Sequence, residues 1–206
     1  MDYQKRERIA VVLGIIIFLG AILAHYVWAP WGFYARVSQE EASVRMSYVE
    51  TALQWEGLSE SDGSHRIIVD SYNTLDPLPV GYTLTYNDSW CAAFVTVSAM
   101  NAGLTQIIPP ECGCERQIQL FRSAGRWVED DNIVPQPGDL VYYDWNVTKN
   151  GDSTGWADHV GIVVGIKWPF IKVIEGNRND DVSFRIIPVG HKTIRGYALP
   201  NYSGMT

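Results

Sequence analysis

The sequence predicts an α+β domain, helices first and an antiparallel sheet second, preceded by one transmembrane helix. Three observations carry this expectation. The chain opens on an uncharged apolar run, helical periodicity and capping patterns occupy Ser38 to Ala102, and short β-branched stretches separated by turn residues follow from Asp139. The 206 residues are 47% hydrophobic and 19% charged, which excludes a disordered chain and leaves enough apolar material for a core. A formal net charge of -7 argues against a nucleic-acid partner. Three cysteines are too few for a disulfide scaffold, and their odd number leaves at least one without an intrachain partner. No haem signature, zinc-ribbon spacing or phosphate-cradling glycine loop occurs, so neither metal nor cofactor is expected.

Lys5, Arg6 and Arg8 precede an uncharged run from Ile9 to Ala24 that extends to Ala29. About 20 residues of helix cross a bilayer core of roughly 30 Å. Trp28, Trp31, Phe33 and Tyr34 stand where an interfacial aromatic belt belongs, and the basic residues before the span put the N-terminus in the cytoplasm. The expected organisation is a cytoplasmic basic tip (1–8), a membrane anchor or uncleaved signal (9–29), a juxtamembrane segment and helix start (30–43) and one extracytoplasmic domain (44–206). A cleaved signal peptide, releasing a secreted domain, is the rival. Its apolar region is normally shorter than this one, and no clean A-x-A site follows.

From Ser38 to Trp55, Val44, Tyr48, Ala52 and Trp55 recur at helical spacing, and Ser38 with Glu41 makes a capping-box pattern. "HRIIVDSYN" suits a helix or a strand, and "TLDPLPVGY" ends it. Trp90 to Ala102 is apolar nearly all round, the mark of a buried helix, with Asp88 or Ser89 as N-cap and Gly103 as its stop. A short helix starts near Glu115. "DLVYYDW", "HVGIVVGI", "IKVIEG", "VSFRIIPV" and "IRGYAL" then read as successive strands of an antiparallel meander.

Cys91 falls in the first turn of the buried helix, where the helix dipole favours an anion and lowers a thiol pKa. A free cysteine in "CAAFV" also suits a core position. His159 begins a strand after a polar loop, and the flanking Gly161 and Gly165 allow close approach to that strand. The next strand brings Glu175 and Asn177 back toward His159. A symmetric hairpin with Ile166 opposite Ile171 would turn both to the wrong face; one bulge or an odd-length loop turns them to the His159 face. Such a shift is predicted.

"SWCAAFV", "PQPGDLVYYDW", "DHVGIVVGI", "IEGN" and "IRGYALP", in that order and spacing, resemble the CHAP domain, the cysteine- and histidine-dependent amidohydrolase/peptidase module of bacterial cell-wall enzymes. The likeness runs from about Val44 to Tyr202. It implies a papain-like α+β fold, with the cysteine helix packed on an antiparallel sheet, and cleavage of amide bonds in peptidoglycan. By that resemblance Cys91 is the nucleophile, His159 the general base and acid, and Glu175 the group that orients the imidazole, with Asn177 supporting or sharing that role. The Cys91 backbone N–H is a candidate oxyanion donor, and Tyr86 or Asn87 would supply a second. Tyr86, Trp90, Trp145 and Trp156 are candidate substrate contacts, though Trp145, Trp156 and Trp168 equally suit core or rim packing. Cys112 and Cys114 fall outside the pattern and read as a structural or groove-lining loop. Some relatives bind calcium ahead of the cysteine, but Asp62 and Asp88 do not complete an oxygen-ligand loop. His65 and His191 read as surface residues. No protein partner is indicated. A non-catalytic envelope-binding domain and a transpeptidase-like acyltransferase are the alternatives to a hydrolase.

Overall fold

The computed structural model describes residues 15, 31–33, 35–146 and 155–205 and separates residues 1–31 from residues 32–206, which form one compact unit. Its helices are α1 (Gln39–Leu53), α2 (Arg66–Tyr72), α3 (Cys91–Asn101) and α4 (Cys114–Ser123). Its strands are β1 (Trp127–Val128), β2 (Leu140–Tyr143), β3 (His159–Lys167), β4 (Phe170–Arg178), β5 (Asp181–Pro188) and β6 (Ile194–Ala198). The architecture is α+β with a six-stranded antiparallel sheet of order β1-β6-β2-β3-β4-β5.

The preceding transmembrane helix is corrected. Among the described residues no helix is long and apolar enough to cross a membrane. The longest, α1, has 15 residues, about 22 Å at 1.5 Å per residue, and carries Glu40, Glu41, Arg45 and Glu50. The 9–29 run lies outside the described residues except for Ile15.

Ser38 caps α1, its side chain accepting the Glu41 N–H, but the other half of the box is diverted because the Glu41 carboxylate takes Arg45 Nε at 2.8 Å. The ambiguous "HRIIVDSYN" folds as α2, which buries Ile68, Val69 and Tyr72. Helix α3 ends as expected, with Gly103 at φ +69 and the Leu104 and Gly103 N–H groups donating to Ala99 and Met100 carbonyls in a Schellman arrangement. Its N-cap differs from expectation. Trp90 holds that position without a side-chain bond, and Asp88 is occupied with the Thr85 N–H and hydroxyl.

The sheet is a meander only from β2 to β5. β6 returns to pair with β2, and β1, too short for periodicity to reveal, pairs outside it. One face of the sheet (Val160, Ile162, Ile174, Val182) packs on α3 in the main core, and the other (Val141, Tyr143, Val163, Ile171, Val173) lies under Ile133, Val134, Val189 and Leu199. Burial on both faces explains why β3 is apolar almost throughout. The PQPGD segment is a turn in which Asp139 accepts the Gln136 N–H at 2.7 Å and pairs with the buried Arg45 at 2.8 Å, tying β2 to α1. His65, read from sequence as a surface residue, is buried because its ring nitrogens meet the Ser59 and Tyr86 carbonyls.

Helix α3 lies so close to β4 that a Cβ on Gly176 would stand 2.4 Å from Phe94 Cβ and 2.9 Å from Trp90 Cζ3. Gly176→Ala should therefore destabilise the domain by about 1–3 kcal/mol, read as a lower urea midpoint with an unchanged slope. An unaltered midpoint would mean that α3 does not sit this tightly on the sheet.

Candidate active site

The hairpin register carries the shift that the sequence required. Lys167 pairs with Phe170, Ile166 with Ile171 and Gly165 with Lys172, after which a bulge at Val164 sets Val163 against Val173 and Ile162 against Ile174. That extra residue turns Glu175 to the face of β3 that carries His159. Gly161 supplies the space, since a Cβ there would stand 2.6 Å from Glu175 Cγ and 2.5 Å from Val173 Cγ1.

Cys91 is the first residue of α3 and is 4% exposed. Its Sγ lies 3.6 Å from Cys114 Sγ, and the His159 imidazole and the Val160 N–H at the start of β3 act on it electrostatically. His159 Nε2 is 3.2 Å from Glu175 Oε2, which leaves Nδ1 as the nitrogen free to face the thiol. The Tyr143 and Trp145 rings, stacked with centroids 5.0 Å apart, each lie 5.9 Å from the imidazole.

Glu175 has no exposed surface and is held by more than His159. Arg185 donates Nε to Oε1 at 2.7 Å and an Nη to Oε2 at 2.9 Å, and Arg178 Nε stands 3.7 Å from Oε2. The Arg185 guanidinium rests against Tyr143 and Trp145, 5.1 and 5.2 Å from their ring centroids.

The electrostatics follow from these contacts. Hydrogen bonding with Cys114 lowers the Cys91 pKa well below the ordinary thiol value. Burial opposes that shift, while the His159 charge, its hydrogen bond and the Val160 N–H add to it. Cys114, the donor, is pushed upward by the same bond and by its burial. Burial alone would lower His159, but the Cys91 thiolate and the Glu175 carboxylate outweigh it and raise its pKa to about 9. For Glu175 the upward push of burial is overcome by His159 and Arg185, which hold the carboxyl below its ordinary range. Thiolate, imidazolium and carboxylate thus form one charge-alternating row at a helix N-terminus.

Of the sequence-predicted residues, Cys91, His159 and Glu175 come together. Asn177 lies at positive φ (+55) where the β4–β5 register shifts, and no described hydrogen bond joins it to His159. Trp145 is half-exposed beside the imidazole, and Trp156 is 77% exposed. Tyr86 is exposed, with its hydroxyl on Asp70 at 2.8 Å. Trp90 is corrected as a substrate contact. It is fully buried against β4 with its Nε1 on Glu60 at 2.9 Å, so it presents no surface. Asp62 Oδ1 accepts the Ser64 N–H and hydroxyl, and Asp88 Oδ2 accepts the Thr85 N–H and hydroxyl.

Sequence reasoning missed Arg185 and, having read Cys114 as part of a structural or groove-lining loop, missed its contact with the Cys91 sulfur. Arg185 had a signal: it is a charge inside a strand, opposite Val173 and two residues along from Ser183, the partner of Glu175. Cys114 had none, because its nearness to Cys91 depends on how two helices converge.

Residues 81–177, just under half of the chain, match the family model of the CHAP domain. The match is narrower than the Val44–Tyr202 likeness read from the sequence. It contains Cys91, His159 and Glu175 and stops before Arg185 and the IRGYALP motif. No curated protein and no solved structure gives a significant match.

An NMR titration of the His159 ring should show a midpoint near 9, above the 6.5 of an ordinary histidine, because neighbouring anions hold its proton on to higher pH. Glu175→Gln removes one anion and should move that midpoint down. A midpoint unchanged by Glu175→Gln would exclude Glu175 as the imidazole's electrostatic partner.

Proposed function

We propose that the domain hydrolyses amide bonds of peptidoglycan by cysteine-dependent acyl transfer. The observation that carries this reading is the Cys91 thiol at the start of α3, in electrostatic interaction with an imidazole whose Nε2 lies 3.2 Å from a buried carboxylate. The CHAP match over the same residues supports the substrate class.

Cys91 Sγ attacks the amide carbon, and the oxyanion forms at the N-terminus of α3, where the Cys91 N–H is one of the first-turn donors. His159 passes its proton to the leaving amine, and a thioester remains on Cys91. His159, now neutral, takes a proton from water as it attacks the thioester; the product carboxyl leaves and the Cys91 thiolate and His159 imidazolium are restored. Glu175 keeps the imidazole oriented and its charged form favoured, while Arg185 fixes the carboxylate. Trp145 offers an aromatic surface to a peptide or glycan beside the imidazole, and Trp156, three residues before His159, is exposed. Peptidoglycan lies outside the cytoplasmic membrane, so this reading places the acting domain on that side.

A non-catalytic envelope-binding role would suit a buried cysteine remote from His159. Cys91 is buried, but it is not remote: the His159 charge acts directly on its thiol.

Purified peptidoglycan digested with the full chain should release fragments that gain one water for each bond cut, with a new amino group and a new carboxyl. Cys91→Ala should lower the rate by on the order of 10^4–10^6-fold, and Glu175→Gln by about 10^2–10^4-fold. Equal, non-zero release from the chain and from Cys91→Ala would end the thiol mechanism. Products joined to an added amine would turn the reading to acyl transfer.

A further inference from the structure

We propose that Cys91 and Cys114 form a site of reversible oxidative modification, a thiol pair that peroxide converts to a disulfide and thereby silences the nucleophile. The chemistry of the pair stands on its own geometry; the silencing of a hydrolase rests on the function proposed above.

Cys114 is a nucleophile that the amide chemistry does not use. It opens α4 as Cys91 opens α3, so two helix N-termini converge and their first residues hold sulfur against sulfur at 3.6 Å. All three cysteines are free thiols. Closing a disulfide of about 2.05 Å needs an approach of roughly 1.5 Å, within the reach of side-chain rotation at two adjacent helix starts. Cys112 is a poor competitor. It is separated from Cys114 by one glycine, and its sulfur lies 3.9 Å from an Arg116 Nη. One sulfur of the 91–114 pair is activated by the hydrogen bond from the other, then by His159 and the Val160 N–H, and the other remains a protonated thiol. An activated thiol beside a resolving one is the arrangement found in peroxide-sensitive proteins.

The steps balance. Cys91 thiolate attacks one oxygen of hydrogen peroxide and the O–O bond breaks. The departing hydroxide takes the His159 proton as water, leaving a sulfenic acid and a neutral imidazole. Cys114 Sγ then attacks the sulfenyl sulfur, an S–S bond forms, and hydroxide leaves with the Cys114 proton as a second water. Sulfur has lost two electrons and peroxide has gained them. A dithiol reductant reverses the disulfide, whereas an isolated sulfenic acid is oxidised by a second hydrogen peroxide, which leaves as water, to irreversible sulfinic acid. Cys114 thus both closes the site and keeps its nucleophile recoverable.

The test treats the full chain with a few equivalents of hydrogen peroxide, alkylates the remaining thiols, and reads intact mass and non-reduced peptide maps beside peptidoglycan release. A loss of two hydrogens with a Cys91–Cys114 linked peptide is expected. Release should fall as the link forms, and dithiothreitol should restore it. Cys112→Ser should form the same link. Cys114→Ser should instead gain two oxygens at Cys91 and lose release irreversibly. Sulfinic acid at Cys91 of the unsubstituted chain without a link, or a link through Cys112, would overturn the proposal. A Cys91–Cys114 link in a protein that never releases fragments would uphold the modification site and overturn its role in silencing a hydrolase.

Discussion

The structure turns on one buried charge. Glu175 has no exposed surface, and a carboxylate taken out of water is costly unless it is paired and hydrogen-bonded. Here Arg185 grips both of its oxygens and His159 shares one of them. Because the guanidinium is always charged, it keeps the carboxyl ionised whatever the imidazole does. The carboxylate can then favour the imidazolium, and the imidazolium the thiolate. Strand β5 and the Tyr143–Trp145 stack, which bear Arg185, belong to the site although neither touches Cys91 in this chain of contacts.

That pairing depends on backbone register, which rests on a single residue. Without the bulge at Val164, Glu175 would point into the face packed on α3 and His159 would face Arg178 across the ladder. A carboxylate opposite Ile162, against α3, would have no partner. The bulge, the absent side chain at Gly161 and the close seat of α3 on Gly176 are therefore one solution to one packing problem.

This logic decides what the sequence could reveal. The shift was inferable because His159 and Glu175 lie on neighbouring strands joined by a short turn, where face alternation leaves only two outcomes. The placing of Cys91 in the first turn of its helix, though not the N-cap, and the end of that helix at Gly103 were legible for the same reason: each is set by a few adjacent residues. Features that depend on distant packing were not. The return of β6 to β2, the burial of Trp90 beneath β4 and the exclusion of His65 from solvent follow from where whole elements dock. Arg185 lay between these cases, readable only once the register of a third strand was known.

Cys114 marks the same boundary and shows what distant packing adds to the chemistry. A thiolate needs donors, and the helix dipole, the Val160 N–H and the imidazole supply several. A second thiol at 3.6 Å is a weaker donor than any backbone N–H, so ionising Cys91 does not demand sulfur there. A serine would donate at least as well, and an alanine would fill less of the cleft between α3 and α4. What only a cysteine adds is the capacity to form a covalent bond with its neighbour. The convergence of two helix N-termini therefore gives the site a property that neither helix has alone: the environment that activates Cys91 for attack on an amide also exposes it to oxidation, and the second helix holds the group that makes that oxidation reversible.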